Sequence, residues 1–142
     1  MEHYFQGKTV VITGASAGVG AETARAFAKL KANLVLLARG QQALDEIEKE
    51  LSVETSVLTI KMDVANSADC QKMLESAQEK FGSIHYLINN AGYHQRGNVE
   101  DNTAEQLAKM VDVNLRAPIA LSALILPYIR SSITNGGFGG IV

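Results

Sequence analysis

The sequence predicts an α/β domain built as a doubly wound parallel sheet with helices on both faces. Three observations carry that prediction. Short runs rich in Val, Leu and Ile alternate with longer stretches of helical periodicity. The connections between them are short, which suits parallel strands whose return path is a helix. The first run, Thr9-Val10-Val11-Ile12, leads straight into a turn holding Gly14, Gly18 and Gly20, ahead of a helical stretch.

At 142 residues the chain is one domain's worth, and 46% hydrophobic residues are enough for a packed core. A net charge of −2 offers no electrostatic footprint for nucleic acid or a membrane surface. No apolar run approaches the length of a membrane span, and Met1-Glu2-His3-Tyr4 lacks the pattern of a signal peptide. The single Cys70 permits no internal disulfide, which suits a reducing cytoplasm, and its place on an apolar stripe favours burial over reactivity. His3, His85 and His94 show no metal-ligand spacing, so no metal is expected.

In chain order, Tyr4-Phe5-Gln6-Gly7 resembles the end of a protease-cleavage scar, but the residues before it do not match one, and it is read as the lead into the first strand. That strand ends at Thr13. Ala24, Phe27 and Ala28 mark a first helix over Ala21–Lys31. Leu34–Leu37 is a second strand. A second helix carries Leu44, Ile47 and Leu51 on one face and a solvated cluster of Asp45, Glu48 and Lys49 on the other. Val57–Ile60 is a third strand. Asn66 or Ser67 caps a third helix with the stripe Cys70, Met73, Leu74, Ala77 and Phe81, ended by Gly82. Tyr86–Ile88 is a fourth strand, followed by a polar loop over Tyr93–Asn102. Thr103 and Gln106 form a capping box for a long helix reaching Arg130, with Leu107, Met110 and Val111 facing inward and kinks expected near Pro118 and Pro127. Leu121, Leu124, Ile125 and Leu126 are expected beyond that inward stripe. Asn135–Gly140 reads as a flexible turn, since no helix follows it, and Gly140–Val142 as the start of a fifth strand, where the chain stops.

The glycine-containing turn has a physical reading of its own. Gly14 would allow the sharp turn, Gly18 the approach of backbone N–H groups to a phosphate, and Gly20 the close packing of helix on strand. The helix N-terminus would offer unpaired donors and a positive dipole end to an anion. Those residues are read as a dinucleotide site, with an ordinary turn between strand and helix as the alternative.

Thr13-Gly14-Ala15-Ser16-Ala17-Gly18-Val19-Gly20 resembles the cofactor fingerprint of the short-chain dehydrogenase/reductase family, and Asn89-Asn90-Ala91-Gly92 resembles its second signature. The two stand in the family's order, and the resemblance runs from Gly7 to Val142. It implies a Rossmann-type sheet, truncated after the start of strand five, so that residues 1–142 form an NAD(P)-binding domain incomplete at its C-terminus. It also implies cofactor contacts from Gly14, Ser16, Gly18, Val19, Gly20, Asn90, Ala91 and Gly92. Asp63 would take the adenine amino group and Val64 the ring. The alternative for Asp63 is an aspartate that starts a turn.

The end of the second strand bears on which nicotinamide cofactor is preferred. A carboxylate there would bond a ribose 2′-hydroxyl and repel a 2′-phosphate. This chain has Ala38-Arg39, and Asp45 lies farther on, in the helix. Arg39 is a permanently charged planar fork suited to phosphate. The resemblance therefore implies NADP (NADPH), with NAD the less favoured cofactor. Ala17 counts against this, because many phosphate-preferring members carry a second basic residue there.

Asn114 falls seven after Leu107 and four after Met110, on the expected inward stripe, where an amide must find partners. It is either a structural amide beside Pro118 or, by resemblance, the Asn of the family's catalytic tetrad, which holds a water in the proton relay. The tetrad's Ser and its Tyr-x-x-x-Lys pair are missing: only Tyr4 has a lysine four residues on, Lys8, and that pair precedes the first strand. The resemblance implies an oxidoreductase that moves a hydride between NADP(H) and a small carbonyl or secondary alcohol. It also implies a homodimer or homotetramer joined through Thr103–Arg130. The alternative is a non-catalytic nucleotide-binding or interaction module, if the natural chain ends near residue 142.

Overall fold

The structure, a computed structural model, describes residues 3–133 and 137–142. Along these run β1 (Thr9–Thr13), α1 (Gly18–Lys29), β2 (Asn33–Ala38), α2 (Gln41–Leu51), β3 (Val57–Lys61), α3 (Ser67–Phe81), β4 (Tyr86–Ile88), α4 (Ala104–Val111), α5 (Ala117–Ser132) and β5 (Gly140–Ile141). The strands pair in parallel in the order β3-β2-β1-β4-β5.

Alternating side chains along each strand feed two separate cores. Val10, Ile12, Leu34 and Leu36 pack with Ala21, Ala24 and Ala28 of α1 and Leu44, Ile47 and Leu51 of α2. Val11, Val35, Leu37 and Leu87 pack with Cys70, Met73, Leu74 and Ala77 of α3 and Leu121, Ile125 and Ile129 of α5. Because β1 and β2 are covered on both faces, they read as unbroken apolar runs rather than alternating ones. After β3 the chain changes face, and β4 enters beside β1. The strand order therefore reverses between β1 and β4, which opens a crevice at their C-terminal ends.

The N-terminal segment packs. The Phe5 ring meets Phe27 and Tyr86 edge-on, at 5.1 and 5.5 Å between centroids, and the Tyr4 and Tyr86 hydroxyls stand 2.8 Å apart. Burial, with the Tyr4 contact added, pushes the Tyr86 hydroxyl up to about 12. Cys70 is buried, as its stripe implies, and burial raises its thiol. Asn66 is the residue that caps α3, accepting from the N–H groups of Ala68 and Asp69.

Several expectations need correction. α1 starts at Gly18, so Gly18 and Gly20 lie in its first turn rather than ahead of it. The polar loop holds a 3-10 turn, Val99–Asp101. Thr103 and Gln106 do form the capping box, but the helix they open is not uniform. Asp112–Arg116 make a π-helical turn between α4 and α5, closed by the Ala117 N–H on the Asp112 carbonyl. The turn stands just before Pro118, which has no N–H to give the carbonyl four residues back. The wide turn shifts the phase of the apolar stripe. Val113, Ala117, Leu121, Ile125 and Ile129 are the buried positions, so Leu121 and Ile125 belong to the inward face, while Val111 is 57% exposed. Pro127 is accommodated within α5.

As one continuous helix, Ala104–Ser132 is 29 residues and holds an 18-residue window of mean hydropathy 1.4, long and apolar enough to cross a membrane by length and composition, contrary to the sequence expectation. The inner stripe of its α5 part is packed on the sheet. Asn135 and Gly136, part of the expected glycine-rich turn, lie outside the described residues.

Candidate functional site

A crevice of about 400 Å³ lies at the C-terminal ends of the strands. Its floor is the turn after β1, with Gly14, Ser16 and Ala17. One wall is the end of β2 with Leu37, Ala38, Arg39 and Gly40, extended by Met62, Asp63 and Val64 after β3. The other is Asn90, Ala91 and Gly92 after β4, with Val113 from the π-helical turn.

Two glycines are fixed by geometry. Gly14 has φ +64°, and a Cβ there would stand 2.9 Å from the Ala91 Cα. A Cβ on Gly20 would run into the Gly14 carbonyl oxygen and the Asn90 amide. Both therefore let two chain segments touch where a side chain would wedge them apart. The same region is cross-linked by polar groups. Asn90 Nδ2 donates to the carbonyls of Thr13 and Gly14, and the Thr13 hydroxyl accepts from the N–H groups of Asn90 and Ala91. The Ala15 N–H donates to the Leu37 carbonyl at 3.0 Å, tying the turn to β2.

The first turn of α1 carries no acidic side chain, and its N-cap Ala17 makes no side-chain bond to it. Its N–H groups would meet an anion without competition from a side chain of that turn. This cradle of glycine, open N–H donors and a walled crevice fits the pyrophosphate of a dinucleotide. No side chain occupies the space beside Gly92, where a Cβ would meet only Asn114 Oδ1, at 3.7 Å.

The sequence-designated residues divide into two groups. Gly14, Ser16, Arg39, Asp63, Val64, Asn90, Ala91 and Gly92 line one crevice. Gly18, Val19 and Gly20 form the start of α1 beside it, and Val19 is 74% exposed. Arg39 is exposed at the wall, with its guanidinium 5.9 Å from the centre of the Tyr93 ring. Asp63 Oδ1 accepts the Ala65 N–H at 3.0 Å, the turn-starting alternative, while the residue also lines the crevice. Asp45 accepts from Gln41 within α2 and does not line the crevice.

Asn114 is a correction. It is exposed rather than on the buried stripe, because the π-helical turn puts Val113 there instead. Its amide is engaged at both ends by the backbone of Tyr93, accepting at 2.8 Å and donating at 2.7 Å. Val113, Met62 and Leu37 line the crevice without having been singled out by sequence. Leu37 and Met62 could have been found as strand-end positions. Val113 could not, since a regular helical period misplaces it.

A family model described as short chain dehydrogenase matches residues 8–142. The NADP-dependent 3-hydroxy acid dehydrogenase of Schizosaccharomyces pombe is 38% identical over 129 residues, which cover 88% of this chain and 50% of that protein. A short chain dehydrogenase/reductase from Burkholderia phymatum, solved in complex with NAD, superposes with a TM-score of 0.84 at 32% identity, covering 89% of this chain and 45% of that one. A metagenomic short-chain oxidoreductase in complex with NADP gives 0.86 at 27% identity, covering 97% and 62%. The chain spans about half the length of the curated relatives it matches.

Proposed function

The chain belongs to the short chain dehydrogenase family of oxidoreductases, and on that premise we propose that it supplies the cofactor-binding half of an enzyme exchanging a hydride between NADP(H) and a small carbonyl or secondary-alcohol substrate. The observation that carries the proposal is the crevice at the β1/β4 switch point, with Arg39 rather than a carboxylate on its β2 wall. Solved relatives are described with NAD in one case and with NADP in another, so the choice between them rests on this chain's own residues.

Bound there, the nicotinamide would supply the hydride. The chain's own residues do the rest of what this half requires. The turn after β1 and the first turn of α1 hold the diphosphate by N–H donors and the helix dipole. Asp63 and Val64 border the end of the crevice suited to a base, and Arg39 attracts a ribose phosphate. Asn114, with both ends of its amide on Tyr93, holds the segment after Gly92 in place.

Two further proposals follow from the same surfaces. Val111, Leu115, Ile119 and Leu126 are exposed apolar residues spaced by about one or two helical turns along one side of the long helix. A second copy of the chain would cover them, giving a homodimer or homotetramer. The partners proposed are otherwise small molecules, with neither nucleic acid nor membrane, and the location proposed is cytoplasmic, in keeping with one buried thiol and no disulfide.

The test is equilibrium titration of the full chain with NADPH and with NADH, followed by nicotinamide fluorescence. Tighter binding of NADPH is the expected result. Equal affinity, or a preference for NADH, defeats the cofactor assignment.

A further inference from the structure

Tyr93 follows the Asn90-Ala91-Gly92 segment and is unusually well held for a loop residue. Its N–H and carbonyl are both bonded by the Asn114 amide, at 2.8 and 2.7 Å. Its hydroxyl donates to Gln95 Oε1 at 2.7 Å, and the Gln95 N–H in turn bonds the Met110 sulfur at 3.3 Å. Backbone and hydroxyl being fixed, the ring has one place to stand.

Two cations stand against that ring. The Arg39 guanidinium carbon lies 5.9 Å from its centroid and the Lys109 Nζ lies 5.1 Å from it. Both distances are within the range of cation–π attraction. Arg39, which lines the crevice, follows β2, and Lys109 stands on α4, so the ring links the β2 wall of the crevice to α4. Among the described residues neither cation takes part in an ion pair. The turn after β1, Gly14–Gly18, contains no basic residue.

Two like charges gathered on one neutral ring repel each other, and a neutral ring offsets that only in part. An anion at the same place would be attracted to both. We propose that Tyr93 and Lys109 are specificity-determining residues for a phosphate monoester on the ribose of the dinucleotide. Lys109 provides a second positive charge on the ring that Arg39 also meets, and the Tyr93 ring holds Arg39 at the crevice wall instead of free in solvent. The inference rests on the NADP(H) assignment above and extends it to two residues outside the glycine-rich turn and the end of β2.

The test is binding, read by nicotinamide fluorescence, of NADPH and NADH to the full chain and to Lys109→Ala, Tyr93→Leu and Tyr93→Phe, with circular dichroism to check folding. Lys109→Ala is expected to weaken NADPH binding about tenfold, the loss of one charge-assisted contact, and to leave NADH binding unchanged. Tyr93→Leu is expected to narrow the NADPH/NADH ratio, and Tyr93→Phe, which keeps the ring, to preserve it. The Lys109→Ala variant should also show a shallower salt dependence for NADPH. If the unmodified chain prefers NADPH and Lys109→Ala retains the whole preference, the inference is overturned while the cofactor assignment stands. An unmodified chain that prefers NADH overturns the assignment itself, and the inference with it.

Discussion

The Asn90 side-chain amide donates to the main-chain carbonyls of both Thr13 and Gly14, at 3.1 Å each, while the Thr13 hydroxyl accepts from the N–H groups of Asn90 and Ala91 at 2.9 and 2.8 Å. The C-terminal ends of β1 and β4 are thus clamped by side chains where the strand ladder gives out. Asn90→Ala removes two donors and leaves two half-buried carbonyls without them. It is expected to lower stability by about 1–3 kcal/mol. Urea unfolding measures this, and a midpoint unchanged from the unmodified chain contradicts it.

Gly14 and Gly18 both have positive φ, but only Gly14 has a neighbour in the way. Gly18→Ala is expected to cost about 1–2 kcal/mol of backbone strain. Gly14→Ala adds a clash with Ala91 and is expected to cost more and to abolish NADPH binding. Thermal unfolding and cofactor titration of the two variants separate the effects, and equal behaviour would place no special demand on Gly14.

Arg39→Asp puts a carboxylate at the end of β2, where Arg39 now lines the crevice. The substitution removes a charge-assisted contact of about 1.5–3 kcal/mol and adds repulsion toward phosphate. The expected result is a shift toward NADH of at least tenfold in the ratio of dissociation constants. An unchanged ratio removes Arg39 from cofactor choice.

His85 is 7% exposed, and its Nδ1 accepts the Thr9 N–H at 3.0 Å. Burial, with Lys8 nearby, lowers its pKa below 6.5. Between that folded value and 6.5 the unfolded chain binds more protons than the folded one, so stability is fully present above about 6.5 and falls as the pH drops toward the folded pKa. Chemical unfolding at a series of pH values should show this decline, and His85→Asn, which cannot titrate, should flatten it.

Leu115→Glu with Ile119→Glu places two charges on the exposed apolar side of the long helix. A chain that associates through this face is expected to shift to monomer, as light scattering would show. Persistence of the unmodified mass would move the interface elsewhere.

Much of the fold was legible because β1 and β2 are short unbroken apolar runs and α1–α3 obey a simple period: Leu44, Ile47 and Leu51 are spaced as a helix requires, and they are buried. The crevice was legible through Gly14, Arg39 and Asn90, each marked by residue type at a strand end. What escaped was Val113, along with the outward orientation of Val111 and Asn114. A regular 3.6-residue period misplaces Val113 and Asn114, which lie within the π-helical turn, and neither Asp112 nor Pro118 alone announces one. Lys109 and Tyr93 escaped for another reason. The Arg39–Tyr93 contact joins residues 54 positions apart along the chain, which only the assembled sheet brings together, and Lys109 meets the same ring.

The two cores on opposite faces of the sheet differ in how far along the chain their members lie. The first draws on residues between Val10 and Val57, a single contiguous stretch; the second reaches from Val11 to Ile129. Closing the larger loops costs more entropy and slows assembly. The β1-to-β3 half can therefore consolidate early, while the opposite face waits for the later helices to dock. The crevice takes its walls from both halves, so its shape is complete only once both have formed.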